Sequence, residues 1–148
     1  MLYVATARGV DLVADPDWAA RIGRHRDRRP AAWTTLEDAH LPAVIADRVD
    51  VPVLVDDLAT WLTGVLDDAG WARDAPAVDA ARRELVDAVT ARAGAPLVLV
   101  SAEVGLGVIP SSSAGRRFRD ELGALNAELA AVCDEVRLLV AGRSLRLP

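Results

Sequence analysis

The chain has 148 residues, is 52% hydrophobic and carries a formal net charge of −5 at pH 7, which suits one domain with a buried core and opposes a nucleic-acid partner, because the overall field repels phosphate backbones. Its single cysteine, Cys133, excludes an internal disulfide and fits a reducing, cytoplasmic setting. No apolar run approaches the roughly 18 residues of a membrane span, residues 1–8 lack the basic-then-apolar order of a signal peptide, and all 17 basic residues are arginine, so no step can use a lysine ammonium.

Residues 2–6 predict a short buried strand. Asp15-Pro16 opens a helix, with aspartate at the N-cap and proline in the first turn. That helix runs to about residue 26, and Pro30 prevents its extension. Residues 33–37 predict a second short strand and residues 40–48 a helix. Val51-Pro52-Val53-Leu54-Val55-Asp56 reads as a buried strand ending in an acid. Residues 58–68 are amphipathic, with Leu58, Trp61, Leu62, Val65 and Leu66 on one helical face. A helix over 76–93 is stopped by Gly94 and Pro96. A strand over 97–101, a helix over 113–133, a strand over 136–141 and a last short strand over 144–147 complete the chain. Near-continuous apolar strands alternating with helices predict an α/β fold: one domain over residues 1–148, built on a mostly parallel sheet with helices on both faces. Residues 70–77 are expected to form its most flexible loop.

Two segments carry the strongest chemical signals. Ser101-Ala102-Glu103-Val104-Gly105-Leu106-Gly107-Val108-Ile109-Pro110 follows a strand and precedes a helix bearing Arg116, Arg117 and Arg119. A Gly-rich turn at a strand's C-terminal end is the usual place for a ligand in an open α/β sheet. The second segment, Arg21 to Pro30, packs five Arg around His25. Helical spacing puts Trp18, Arg21, Ile22 and His25 on one face, with Trp18 and Ile22 expected to anchor it to the core. Guanidinium groups at this density suit phosphate oxygens, although cations at a helix C-terminus also favour the macrodipole. The Arg charges disfavour the imidazolium form of His25, and a neutral imidazole is a competent nucleophile toward phosphorus. His40 has no such surroundings and reads as a surface or helix-start residue. Asp57 is expected to cap the following helix, leaving Asp56 to face the site, where a carboxylate can hold Mg²⁺ beside a triphosphate. Glu37 could accept hydrogen bonds from a guanine edge.

The segments Leu2-Tyr3-Val4-Ala5-Thr6, Ala20-Arg21-Ile22 through His25 to Arg29-Pro30, and Trp33-Thr34-Thr35-Leu36-Glu37 come first. Leu54-Val55-Asp56-Asp57-Leu58 with Trp61-Leu62-Thr63, then Val100 to Pro110, then Arg117-Phe118-Arg119-Asp120 through Asn126 to Asp134 follow in order. Together they cover nearly the whole chain and resemble the bifunctional adenosylcobinamide kinase / adenosylcobinamide-phosphate guanylyltransferase family of cobalamin biosynthesis. The resemblance implies a P-loop-NTPase-like sheet assembled as a homotrimer. It implies phosphorylation of the adenosylcobinamide hydroxyl by a nucleoside triphosphate, ATP or GTP. Transfer of GMP from GTP to that phosphate through a guanylyl-histidine follows, with Mg²⁺ as cofactor. His25 would be the histidine. Thr6, Ala7, Arg8, Asp27, Arg28, Arg29, Pro30, Glu37 and Asp56 would form the nucleotide site, and Arg21 and Glu103 are candidates for phosphate or substrate contact. The family commonly carries Glu where this chain has Asp56.

One departure stands out. The family opens with a strand, Gly-x-x-x-x-Gly-Lys-Ser/Thr and a helix, whose amides, lysine and hydroxyl cradle phosphates and Mg²⁺; residues 1–148 contain no such loop. A start assigned too late, or a natural remnant, would account for it. A strand lost from inside the sheet should leave unpaired backbone groups and exposed apolar surface. Residues 1–148 alone are expected to show negligible kinase activity. The alternatives to the bifunctional enzyme are a non-catalytic nucleotide- or cobinamide-binding protein and a guanylyltransferase alone.

Overall fold

Three short runs rich in valine and leucine pair with a threonine-rich fourth into one sheet, and their alternation decides which side of it becomes the core. The computed structural model describes every residue except 8–15, 38–39 and 73, and every remaining side chain except those of Pro16, Trp18 and Arg21. The elements are β1 (Leu2–Ala5), α1 (Pro16–Asp27), β2 (Thr34–Leu36), α2 (Leu41–Asp47), β3 (Val53–Asp56), α3 (Leu58–Asp68), α4 (Pro76–Ala91), β4 (Leu97–Val100), α5 (Ser113–Val132), β5 (Val136–Val140) and β6 (Arg143–Leu147). The sheet runs β2-β1-β3-β4 and every pairing in it is parallel. All four strands therefore end on the same rim.

Successive strand residues face opposite ways. Leu2, Val4, Val53 and Val55 point to one face, where they meet Leu41 and Ile45 of α2, Leu58, Leu62 and Leu66 of α3, Val78 and Leu85 of α4, and Leu122, Leu125 and Leu129 of α5. Burying a side chain of this size contributes roughly 1.5–3 kcal/mol, so this face holds the fold together. The pairing register puts Tyr3, Thr35, Leu54, Ala5 and Asp56 on the opposite face. There the last turn of α1 comes beside the sheet, with His25 near Asp56. Helices thus lie on both faces, four against one. Ile22 of α1 is half-buried but stands outside the core cluster. The side chain of Trp18, its expected companion, lies outside the described residues.

Two expectations are corrected. The last two strands do not extend the parallel sheet; β5 and β6 form a separate antiparallel hairpin, turned at Ala141 and Gly142, both with positive φ, as a tight two-residue hairpin requires. The sheet also has no gap, because β3 and β4 pair directly from Val53↔Leu97 to Asp56↔Val100. Exposed apolar side chains lie on β4, where Val98 and Val100 are 45% and 39% exposed, and in the turn after it, where Leu106, Val108 and Ile109 are 79%, 95% and 70% exposed.

The α4–β4 connection depends on Gly94. Its φ is +128°, and a Cβ there would sit 2.4 Å from the Val49 carbonyl oxygen, which also accepts from the Ala95 N–H at 2.9 Å. Gly94→Ala therefore meets both a disfavoured backbone region and an immovable backbone atom. We expect it to lower the unfolding free energy by about 2 kcal/mol or more, measured by urea denaturation. An unchanged midpoint would contradict this.

Candidate functional site

The rim where β1, β2 and β3 end receives the last turn of α1 and the segment that follows it. β3 delivers Asp56 as its last residue, and the next residue starts α3: the Asp57 carboxylate accepts from the Thr60 N–H at 2.6 Å. This N-cap satisfies a helix donor that would otherwise lack a partner. The Asp56–Asp57 peptide is cis. Thr6, just past β1, clasps this junction; its hydroxyl donates to the Asp57 carbonyl at 2.6 Å and accepts from the Asp57 N–H at 3.1 Å. Asp57 is thereby committed to structure, and Asp56 is left for the site.

Asp56 meets two side chains through one oxygen. The Tyr3 hydroxyl donates to Asp56 Oδ2, and the Nδ1 of His25 lies 3.9 Å from the same atom. The His25 side chain is 64% exposed and that of Asp56 29%, so the imidazole is open to a solvent-borne ligand while the carboxylate sits behind it. The sequence around His25 is rich in arginine; the fold adds the Asp56 carboxylate from a distant strand. Arg29 is drawn back across the sheet. Its guanidinium carbon lies 3.6 Å from the Tyr3 ring centroid, and its Nη1 donates to Thr35 Oγ1 at 3.2 Å. Trp33 stacks on Tyr3 with centroids 6.3 Å apart.

The structure thus brings together His25, Arg29 and Asp56 from the expected set, with Thr6 one step behind. Asp27, Arg28, Pro30 and Glu37 are exposed, and Ala7, next to Thr6 in the chain, is half-buried. Arg21 lies in α1 with its side chain outside the described residues, and Arg8 lies outside them altogether. Glu103 follows β4 on the shared rim, where its carboxylate accepts from the Gly105 N–H at 2.5 Å, and no contact joins it to Asp56. The Gly-rich turn is braced by α5: Arg119 donates to the Gly105 carbonyl, Arg116 to those of Pro110 and Ser111, and Asn126 to that of Ala102. Three of the signals that marked this turn as a ligand site therefore have structural work of their own. His40 is exposed at the N-cap of α2, 3.6 Å from Glu84, as its sequence setting suggested. A cleft of about 560 Å³ opens on the helix-covered side of the rim; Ala5, Thr6, Trp61 and Glu84 line it, and neither His25 nor Asp56 does.

Tyr3, Trp33 and Thr35 were missed as site residues. Tyr3 is also the only tyrosine in the chain, which makes it a probe. Burial pushes its phenol up from 10.0 to about 12; the hydrogen bond to the Asp56 carboxylate and that group's charge add to the rise, and the Arg29 guanidinium opposes it. The folded state therefore holds the phenol proton more tightly, and this contribution to stability is complete below pH 10 and lost as the pH rises toward about 12. Phenolate absorbance should appear near pH 12 in the native protein and near pH 10 in urea. Coincident curves would contradict this environment.

Comparison with known proteins points one way. The family described as "Cobinamide kinase / cobinamide phosphate guanyltransferase" matches residues 1–147. The chain is 37% identical to the "Bifunctional adenosylcobalamin biosynthesis protein CobU" of Salmonella typhimurium, covering 99% of this chain and 85% of that protein. It is 35% identical to the Escherichia coli protein of the same name, with the same coverage. It is 37% identical to the "Bifunctional adenosylcobalamin biosynthesis protein CobP" of Pseudomonas aeruginosa, over 95% of this chain and 78% of that one. Among the described residues, no helix is long and apolar enough to cross a membrane.

Proposed function

We infer the function from one premise: this chain belongs to the cobinamide kinase / cobinamide phosphate guanyltransferase family. The protein is an adenosylcobinamide kinase and adenosylcobinamide-phosphate guanylyltransferase of cobalamin biosynthesis, and its second activity proceeds through a guanylyl-His25. The observation that supports this role is the pairing of an open imidazole with a carboxylate behind it, Nδ1 to Oδ2 3.9 Å, at the C-terminal rim of a parallel sheet.

The lone pair of His25 Nε2 attacks the α-phosphorus of GTP. An N–P bond forms as the P–O bond to the β-phosphate breaks, and pyrophosphate leaves. The Nδ1 side of the ring faces Asp56, which offsets the positive charge the ring gains. A phosphate oxygen of adenosylcobinamide phosphate then attacks the same phosphorus, the N–P bond breaks, and its electron pair returns to His25. Arg21, Arg28 and Arg29 offset phosphate charge as these bonds change. Thr6, Ala7, Arg8, Asp27, Pro30 and Glu37 complete the nucleotide site, with Glu37 as acceptor for the guanine edge. GTP and ATP serve as triphosphates, and the protein assembles as a homotrimer.

The donor set suits Mg²⁺ that arrives on a triphosphate rather than a resident ion. Tyr3 engages Asp56 Oδ2, which leaves Oδ1, and no group of three or more His, Cys, Asp or Glu among the described residues could hold a metal unaided. Mg²⁺ commonly takes one or two carboxylates, substrate phosphates and retained waters. Bound at Asp56, it would neutralise phosphate charge.

The test is a two-stage labelling. GTP labelled in its base should leave GMP on the polypeptide, stable to base and released by acid, as a phosphoramidate is. Adding adenosylcobinamide phosphate should then discharge it. A polypeptide that takes no label, or a label that the second substrate leaves in place, would overturn the reading.

A further inference from the structure

We propose that Tyr3 is a positioning residue of the guanylyl-transfer site: its hydroxyl holds the Asp56 carboxylate toward His25, and its ring seats Arg29. This deepens the function inferred above and rests on it.

Tyr3 is 5% exposed, as buried as Leu2 beside it, yet it does not belong to the core cluster that contains Leu2 and Val4. It points to the other face of the sheet, so what buries it is the site. A buried phenol needs a hydrogen-bond acceptor. Across the β1–β3 pair, Ala5 lies opposite Asp56, and Tyr3, two residues earlier on the same face, reaches that carboxylate diagonally. The oxygen it engages is the one His25 faces, so phenol and imidazole flank a single atom. Ala5 and Leu54, its neighbours on this face along β1 and β3, carry no side-chain donor, and the nearby Arg29 guanidinium is engaged with the Tyr3 ring and Thr35. Without the hydroxyl, Asp56 is free to turn about its side-chain bonds, and His25 loses a fixed charge behind its ring.

The ring does separate work. The Arg29 guanidinium lies 3.6 Å above it, within cation–π range. Thr35, which takes the Arg29 hydrogen bond, is the β2 residue paired with Tyr3. Trp33 packs on the same ring. One side chain thus links the nucleophile's carboxylate to an arginine of the phosphate-binding segment.

Tyr3→Phe separates the two roles, because it removes the hydroxyl and keeps the ring. With labelled GTP, the rate of GMP attachment at saturating GTP should fall about tenfold or more, as expected when a reacting group loses its orientation. The half-saturating GTP concentration should stay nearly constant, because ground-state binding is untouched. In an Asp56→Asn background the same change should cost little further, because a residue acting through Asp56 has nothing left to position. Tyr3→Leu, which also removes the seat of Arg29, should raise the half-saturating concentration as well. If Tyr3→Phe does not stay folded, fluorotyrosine in place of the single tyrosine keeps the shape and alters only the hydroxyl's donor strength. The labelling rate should then change while half-saturation does not. An unaltered rate in Tyr3→Phe or in the fluorotyrosine protein, or losses from Tyr3→Phe and Asp56→Asn that simply multiply, would overturn the proposal. Absence of label from the unmodified protein would overturn the guanylylation reading itself, and this inference with it.

Discussion

In a version of the protein that carries the P-loop segment, His25→Ala should abolish covalent GMP attachment and guanylyl transfer, while leaving phosphorylation of the cobinamide hydroxyl largely intact. The expectation follows from geometry and from the chemistry of the two steps. The imidazole is largely exposed and projects from the last turn of α1, outside the apolar core, so its removal leaves the folded framework undisturbed. It is also the group that forms the N–P bond, and no neighbouring side chain in the described site can replace it: the Tyr3 hydroxyl is engaged as a hydrogen-bond donor to Asp56, and Arg29 is held on Tyr3 and Thr35. Direct phosphorylation of the hydroxyl does not pass through that bond. The control is His40→Ala, which alters an exposed residue paired with Glu84 and should label at the normal rate. Full labelling of His25→Ala, or loss of label in His40→Ala, would reassign the nucleophile.

The second large effect concerns stability. Arg92→Ala should lower the unfolding free energy by about 3 kcal/mol, because several hydrogen bonds from one charged donor, most of them partly buried, are lost together. The Arg92 guanidinium gathers four backbone carbonyls: Ile45 at 2.6 Å, Arg48 at 2.9 Å, and Val51 and Ala95 at 3.2 Å each. These belong to the end of α2, the approach to β3 and the approach to β4. A planar fork matches such a set and a lysine ammonium does not, so Arg92→Lys should recover only part of the loss. For a domain of this size the melting temperature should drop by roughly 6–12 °C. Arg83→Ala, at an exposed position of α4, should shift it by little. Equal shifts for the two variants would show that the carbonyl cluster does not matter.

The parts of the fold that were legible in the sequence are those governed by local rules. Asp57 as a cap, Val53 to Val55 as a buried strand ending in an acid, and Leu58, Leu62 and Leu66 as one helical face all follow from short-range pattern, and the structure contains them. The hairpin was less visible. A run such as Val136 to Val140 looks the same in a parallel or an antiparallel pair, and Ala141-Gly142 lacks the Asn or Asp that usually marks a turn with two positive φ angles. The site was legible in its charges and not in its aromatic. His25 among arginines and Asp56 at a strand end announce phosphate chemistry, whereas Tyr3 inside an apolar run reads as core. Strand alternation assigns Tyr3 to the face opposite Leu2 and Val4. Only the β1–β3 register, a long-range fact, places Asp56 on that same face two positions further along. The same long-range contact sets a carboxylate against His25, whose sequence neighbours are mostly arginines.

The most direct measurement is the mass-spectrometric location of the GMP adduct. The protein is incubated with GTP and digested at alkaline pH to preserve a phosphoramidate. The account predicts one GMP group per chain, on His25 and on no other residue. Attachment at His40 or at any hydroxyl, carboxyl or thiol side chain would contradict it.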